Sequence, residues 1–97
     1  MYMRLVWAKV RPGSWAKHEA KYRELDQPAP GLKSRWLVRD TNEPDAMFVV
    51  ALWETLEAMR AWESSEYYTK TYAPTLRPFL EGGWTVSVCE VRREEHM

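Results

Sequence analysis

The sequence predicts one small α+β domain, and three observations carry that prediction. Four short segments are rich in β-branched and aromatic residues, two segments between them place apolar residues at helical spacing, and Gly/Pro clusters separate them. The length, 97 residues, suits a single domain. A chain this short buries only about 60–70% of its unfolded surface, so its core is thin. It nevertheless carries six Trp and five Tyr. Rings that each bury about 150–250 Å² need cover beyond one monomer's interior, from a partner subunit or a ligand pocket.

Each element has its own signal. Tyr2 to Val10 reads as a strand, and Arg11-Pro12-Gly13 as a turn after it. Ser14 is placed to cap a helix over about 15–25, in which Trp15, His18, Tyr22 and Leu25 share one face. Pro28, Pro30 and Gly31 end it. Leu32 to Arg39 alternates, with Ser34, Trp36 and Val38 on one side. After the turn residues 40–45, Met47 to Glu54 is almost continuously apolar, which predicts a strand covered on both faces. Thr55 is placed to cap a second helix carrying Leu56, Met59 and Trp62 on its inner stripe. A short helical piece from Glu66 should end at Pro74, with an irregular turn to Leu80, a break at Gly82-Gly83, and a last strand over 84–91.

Strand, helix, strand, strand, helix, strand is the ferredoxin-like split βαβ order, with a four-stranded antiparallel sheet and both helices on one face. The apolar third strand leaves the other face in need of cover, which predicts a homodimer. Residues 1–91 form the expected domain. Arg92-Arg93-Glu94-Glu95 belongs to a polar, solvated tail over 92–97.

Several function classes are disfavoured. Fourteen basic and fourteen acidic residues cancel, and no basic stripe interleaves with aromatics, so no nucleic-acid partner is expected. No apolar run approaches the ~20 residues of a membrane span, and Arg4 and Lys9 interrupt the first segment, so neither a membrane partner nor a signal peptide is expected and the default location is cytoplasmic. Two His and no CxxC spacing argue against a metal site. Cys89, the only cysteine, falls in an apolar strand pattern and reads as a buried, inert thiol.

The run Trp53-Glu54-Thr55-Leu56-Glu57-Ala58, from strand end into helix, resembles the W-E-S-x-E-A signature of the antibiotic biosynthesis monooxygenase family. Pro30-Gly31-Leu32, Arg39-Asp40 with Pro44-Asp45, and Ser64-Ser65-Glu66 extend the resemblance over roughly residues 3–91. The resemblance implies a dimeric α+β barrel, in which two sheets join face to face and each subunit keeps a pocket between helices and sheet. It also implies cofactor-independent oxygenation of aromatic compounds, with no metal or flavin, as one activity of the family. Haem degradation is another. The haem-degrading branch carries an Asn in strand one, a Trp in helix two and a His about ten residues later. Here Trp62 matches, but the His position falls on Tyr72, and residues 1–10 contain no Asn.

The candidate site follows from the inner stripes. His18 is either a core histidine bonded to a neighbouring acceptor or a pocket base kept neutral by burial. Trp62 and Tyr72 are either core rings or polar-edged rings that orient a flat substrate. These three are the candidate catalytic residues, and Tyr22, Met59 and Tyr68 the candidate substrate-binding ones. Trp36, Trp53 and Trp84 are assigned to core and dimer packing, and no function is rested on Arg4, Arg35 or Arg39. The expected activity is a cofactor-independent monooxygenase acting on a small aromatic, quinol-like molecule. The alternatives are a non-catalytic binding or structural dimer and, behind it, a haem protein.

Overall fold

The computed structural model describes all 97 residues. β1 (Tyr2–Val10), α1 (Trp15–Leu25), β2 (Leu32–Arg39), β3 (Ala46–Trp53), α2 (Leu56–Glu63) and β4 (Leu80–Glu90) follow the expected order. The strands form one antiparallel sheet in the order β2-β3-β1-β4, the ferredoxin-like α+β arrangement, with the helices on one side. No helix is long and apolar enough to cross a membrane.

Register sorts the side chains into two faces. Val6 pairs with both Val49 and Val86, and Ala8 with Met47, so these residues point the same way. Val6, Ala8, Met47 and Val49 meet Tyr22 and Leu25 of α1, and Tyr72, Leu76 and Leu80, in one core cluster, while Val86 on the edge strand stays exposed. The opposite face carries Leu5 beside Val50 and Ser87, Trp7 beside Phe48 and Thr85, and Met3 beside Leu52 and Cys89. β2 adds Trp36 and Val38, which are 47% and 41% exposed. β3 is therefore buried at every second residue and only half-covered between them.

The turns obey local chemistry. Asp40 Oδ1 accepts hydrogen bonds from Asn42 N at 2.7 Å and Glu43 N at 2.9 Å, closing the β2–β3 loop. The Thr55 hydroxyl caps α2 by accepting from Ala58 N at 3.1 Å. Ser14 occupies the N-cap position of α1, but its side chain makes no capping bond. Gly31 has φ +83°, and a Cβ built there would lie 2.6 Å from Ala58 Cβ. Only glycine lets the 26–31 loop pass this close to α2.

Three expectations need correction. Pro74 does not end the helical piece. A π-helical segment, Tyr67–Tyr72, runs directly into an α-turn, Ala73–Leu76, and a 3-10 turn, Arg77–Phe79. Pro74 falls in the first turn of the α segment, a position that the fixed φ of its ring suits.

Gly82-Gly83 does not precede β4 but lies within it. Trp7 pairs with Thr85 while Lys9 pairs with Glu81, so Gly82, Gly83 and Trp84 bulge opposite Ala8. Cys89 is exposed, not buried, because β4 is an edge strand and nothing in the chain covers that sheet face.

Candidate functional site

A cavity of about 30 Å³ lies between the sheet and the π-helical segment. Arg4 and Val6 of β1, Met47 and Val49 of β3, His18 of α1, and Trp84 of β4 form its walls. Tyr68, Tyr72, Ala73, Leu76 and Leu80 complete them. The lining is apolar except for the His18 imidazole, the Arg4 guanidinium and the tyrosine hydroxyls. The space holds a water molecule or two, not an aromatic ring. Tyr68 and Trp84 are only partly buried, so an aromatic ligand would enter by displacing these rings.

His18 is fully buried, and neither ring nitrogen has a hydrogen-bond partner. Its neighbours are rings: Trp15 edge-on at 5.9 Å, Phe79 edge-on at 6.3 Å, and Tyr22 stacked at 6.5 Å. Burial among them lowers its pKa below the ordinary 6.5, with Glu19 opposing weakly, so the imidazole is neutral at pH 7. Of the two readings drawn from the sequence, the bonded core histidine is not what the geometry shows. A buried imidazole without a partner in the protein costs on the order of 1–3 kcal/mol per unsatisfied group unless cavity water meets it.

The π-helical segment sets the tyrosines. Tyr67 anchors it by donating from its hydroxyl to the Leu25 carbonyl at 2.8 Å. Tyr68 and Tyr72 then stack at 5.5 Å with 22° between their planes, and both reach the cavity. Burial pushes the Tyr72 phenol well above 10.0, with Tyr22 adding to the shift, and burial raises Tyr22 too. Both remain neutral donors at physiological pH.

The remaining candidates stand elsewhere. Trp62 lies behind the tyrosines, 5.3 Å from Tyr72 and 5.5 Å from Tyr68, and faces a separate surface groove of about 360 Å³ bounded by Pro30, Gly31 and Glu54. Tyr22 supports His18 and Tyr72 from the side without lining the cavity. Met59 is fully buried with Ala51 and Trp53 in a second cluster, and it too does not line the cavity.

Two residues at the cavity were assigned no such role from sequence. Trp84, given to packing, is turned to the cavity by the Gly82-Gly83 bulge. Arg4 is buried with its Nε donating to Glu63 Oε2 at 2.8 Å and its Nη2 to the Tyr68 hydroxyl at 3.0 Å. Burial opposes its charge, but Tyr68 and Glu63 outweigh burial and hold its pKa above the ordinary value. A signal for it exists in the sequence: Arg4 is in phase with Val6, Ala8 and Val10, the inward positions of β1.

A ferredoxin-like sheet with a small, mostly apolar cavity under its helical layer defines the class of the molecule. The family follows directly. The chain belongs to the antibiotic biosynthesis monooxygenase family, whose model matches residues 1–74. Among curated proteins nothing matches.

Solved structures share the fold. A putative antibiotic biosynthesis monooxygenase from Caulobacter crescentus CB15 is similar over 95% of this chain and 90% of its own, at 19% identity and a TM-score of 0.83. One from Nitrosomonas europaea is similar over 96% and 100%, at 14% identity and a TM-score of 0.83. A point mutant of MhuD, with two manganese protoporphyrin IX molecules bound per active site, is similar over the whole of both chains, at 20% identity and a TM-score of 0.82.

The residues depart from the haem-degrading motif, with Tyr72 in the position of its His and no Asn in β1. The cavity of about 30 Å³ compares with roughly 300–1,000 Å³ for pockets that enclose drug-sized ligands. The phenol at the family's haem-ligand position, Tyr72, is held protonated by burial, which opposes ligation of iron as phenolate.

Proposed function

We propose that this chain is a cofactor-independent monooxygenase that acts, as a homodimer, on a small aromatic, quinol-like compound bound between helices and sheet. The observation that carries the reading is His18: a neutral, fully buried imidazole with both nitrogens unpartnered, on the wall of an aromatic cavity. No group of the protein pairs with either nitrogen, so the imidazole is free to meet a water or a ligand in the cavity, the pattern of a group available for chemistry. Deprotonating a bound phenol raises its ability to give an electron to O₂, and a neutral imidazole accepts that proton. In the overall reaction the substrate gains one oxygen atom at a ring carbon and loses two hydrogens net, from ring and hydroxyl positions, and the other oxygen atom leaves as water. The substrate supplies all the electrons. Tyr68, Tyr72 and Trp84 supply flat contact and hydroxyl donors around the ring.

Homodimerisation is read from the open sheet face, where Trp36 and Val38 are exposed and Phe48, Val50, Leu5 and Trp7 are only half-buried in the monomer. Residues 1–91 are read as the folded unit and 92–97 as a solvated tail.

A second reading, a ligand-binding dimer without catalysis, draws on the small cavity and the absence of solvent contact at His18. One experiment separates the two: oxygen uptake and ¹⁸O incorporation from labelled O₂ with 1,4-dihydroxynaphthalene, for the native chain and His18→Ala. The monooxygenase reading expects labelled product above the uncatalysed rate and at least about a tenfold loss in the variant, against roughly 10²–10⁴ for a general base. No label in product, with the compound still shifting the NMR signals of Tyr68 and Tyr72, would establish the binding reading instead.

A further inference from the structure

We propose that Arg4 is the anion-binding residue of this cavity, and that its ligands are therefore acidic phenols or enols held there as oxyanions once His18 has taken their proton. The inference rests on the reading above that the cavity is the active site, and it narrows the substrate class.

The Arg4 side chain is 8% exposed, whereas its partner Glu63 is 32% exposed. The carboxylate is thus the more hydrated partner, so water weakens its hold on the guanidinium charge at the cavity wall. Nε and Nη2 are committed to Glu63 and Tyr68, which fix the plane of the guanidinium. Nη1 has no acceptor within the chain and is not sealed from solvent. A planar, pre-oriented cation with a free N–H is suited to an incoming oxyanion.

The other groups bordering the cavity leave that role to Arg4. His18 is uncharged at neutral pH, Tyr72 is held protonated, and the Tyr68 hydroxyl accepts from Arg4 itself. Arg35 reaches Tyr72 and Tyr22 electrostatically, and Arg77 lies over the Trp84 ring. Arg4 is the one cation on the cavity wall itself, and so the one a phenolate there can contact directly. Glu63 and Tyr68 are then positioning residues, acting through Arg4.

The test uses 4-nitrophenol, whose phenolate absorbs near 400 nm, so that the ionisation of the bound ring is read directly. It needs no turnover. The native chain should bind it saturably and lower its pKa by about one unit or more, as expected for an opposite charge within about 4–6 Å. Arg4→Gln should abolish the shift and weaken phenolate binding about tenfold or more, while nitrobenzene, the neutral isostere, binds both forms alike. Arg4→Lys keeps the charge and should retain part of the shift, which covers the case in which Arg4→Gln folds poorly. His18→Ala should retain the shift, because the charge that lowers it is Arg4 and not an imidazolium.

Saturable binding with an unshifted pKa in the native chain would overturn the role of Arg4 and leave the active-site reading standing. Absence of saturable binding would overturn both. Loss of the shift in His18→Ala, with Arg4 intact, would assign it to proton transfer and overturn the proposal.

Discussion

The two faces of one sheet are built from the same strands but carry different loads. The helix-covered face buries Val6, Ala8, Met47 and Val49, and among them two polar groups, Arg4 and His18. The open face is a simpler surface of Leu5, Trp7, Phe48, Val50, Trp36 and Val38, with Ser87, Thr85 and Cys89 along the β4 edge. Apolar surface alone therefore does not mark the site. What marks it is polar groups buried where an all-apolar residue would have packed at lower cost. The open face is suited to association and the covered face to chemistry.

The largest effect should come from the open face. Val50→Asp places a carboxylate between Leu5 and Trp36, where a homodimer would bury it unpaired. Dimer affinity should fall at least about 10³-fold, read by sedimentation, since several kcal/mol are lost and each 1.4 kcal/mol is tenfold. An unchanged mass would remove this face from the interface.

A smaller effect should come from the loop that crosses α2. Gly31→Ala meets Ala58 at 2.6 Å and forces a side chain into positive φ, so it should destabilise by about 1–3 kcal/mol in urea unfolding. The cavity residues lie elsewhere, so ligand binding by the folded fraction should be unchanged.

The smallest effect is a pH dependence specific to the covered face. The folded-state pKa of His18 lies below its unfolded value of 6.5. Its contribution to stability is therefore fully present above pH 6.5 and is lost as pH falls toward the folded pKa, because the unfolded chain takes up the proton first. The slope from this group cannot exceed about 1.4 kcal/mol per pH unit. Denaturant titrations between pH 7.5 and 5 should show the decline in the native chain and a flatter profile in His18→Leu. Equal slopes would mean that His18 is not desolvated.

The same contrast explains what was legible in the sequence. The four strands, α1 and α2 were readable because alternation and helical spacing record which side of each element is covered. The uncovered side of β3 was readable because its apolar run is continuous. The fate of Cys89 was not, since an apolar strand pattern does not say whether an edge strand has a second layer over it. The π-helical segment was also hidden: Tyr67 to Tyr72 has no propensity signature for i→i+5 bonding, and Pro74 looked like a terminator.

For the site, His18, Tyr68 and Tyr72 were visible as inward rings, and the structure brings them to one cavity. Trp62 and Met59 share that inward phase but belong to α2, which packs over β3 and away from the cavity. Helical phase specifies a side and not a distance along the sheet. Arg4 was passed over because strand arginines are usually solvated, although its phase placed it inside. Trp84 depended on a bulge whose register only pairing with β1 reveals.

The most direct measurement compares His18→Leu with the native chain in thermal unfolding and in oxygen uptake with 1,4-dihydroxynaphthalene. Leucine fills much of the same volume without orphaned nitrogens, so Tm should be unchanged or higher. Uptake above the uncatalysed rate should fall about 100-fold or more. A variant that consumes oxygen within twofold of the native rate would contradict the central claim that His18 is the base of this cavity.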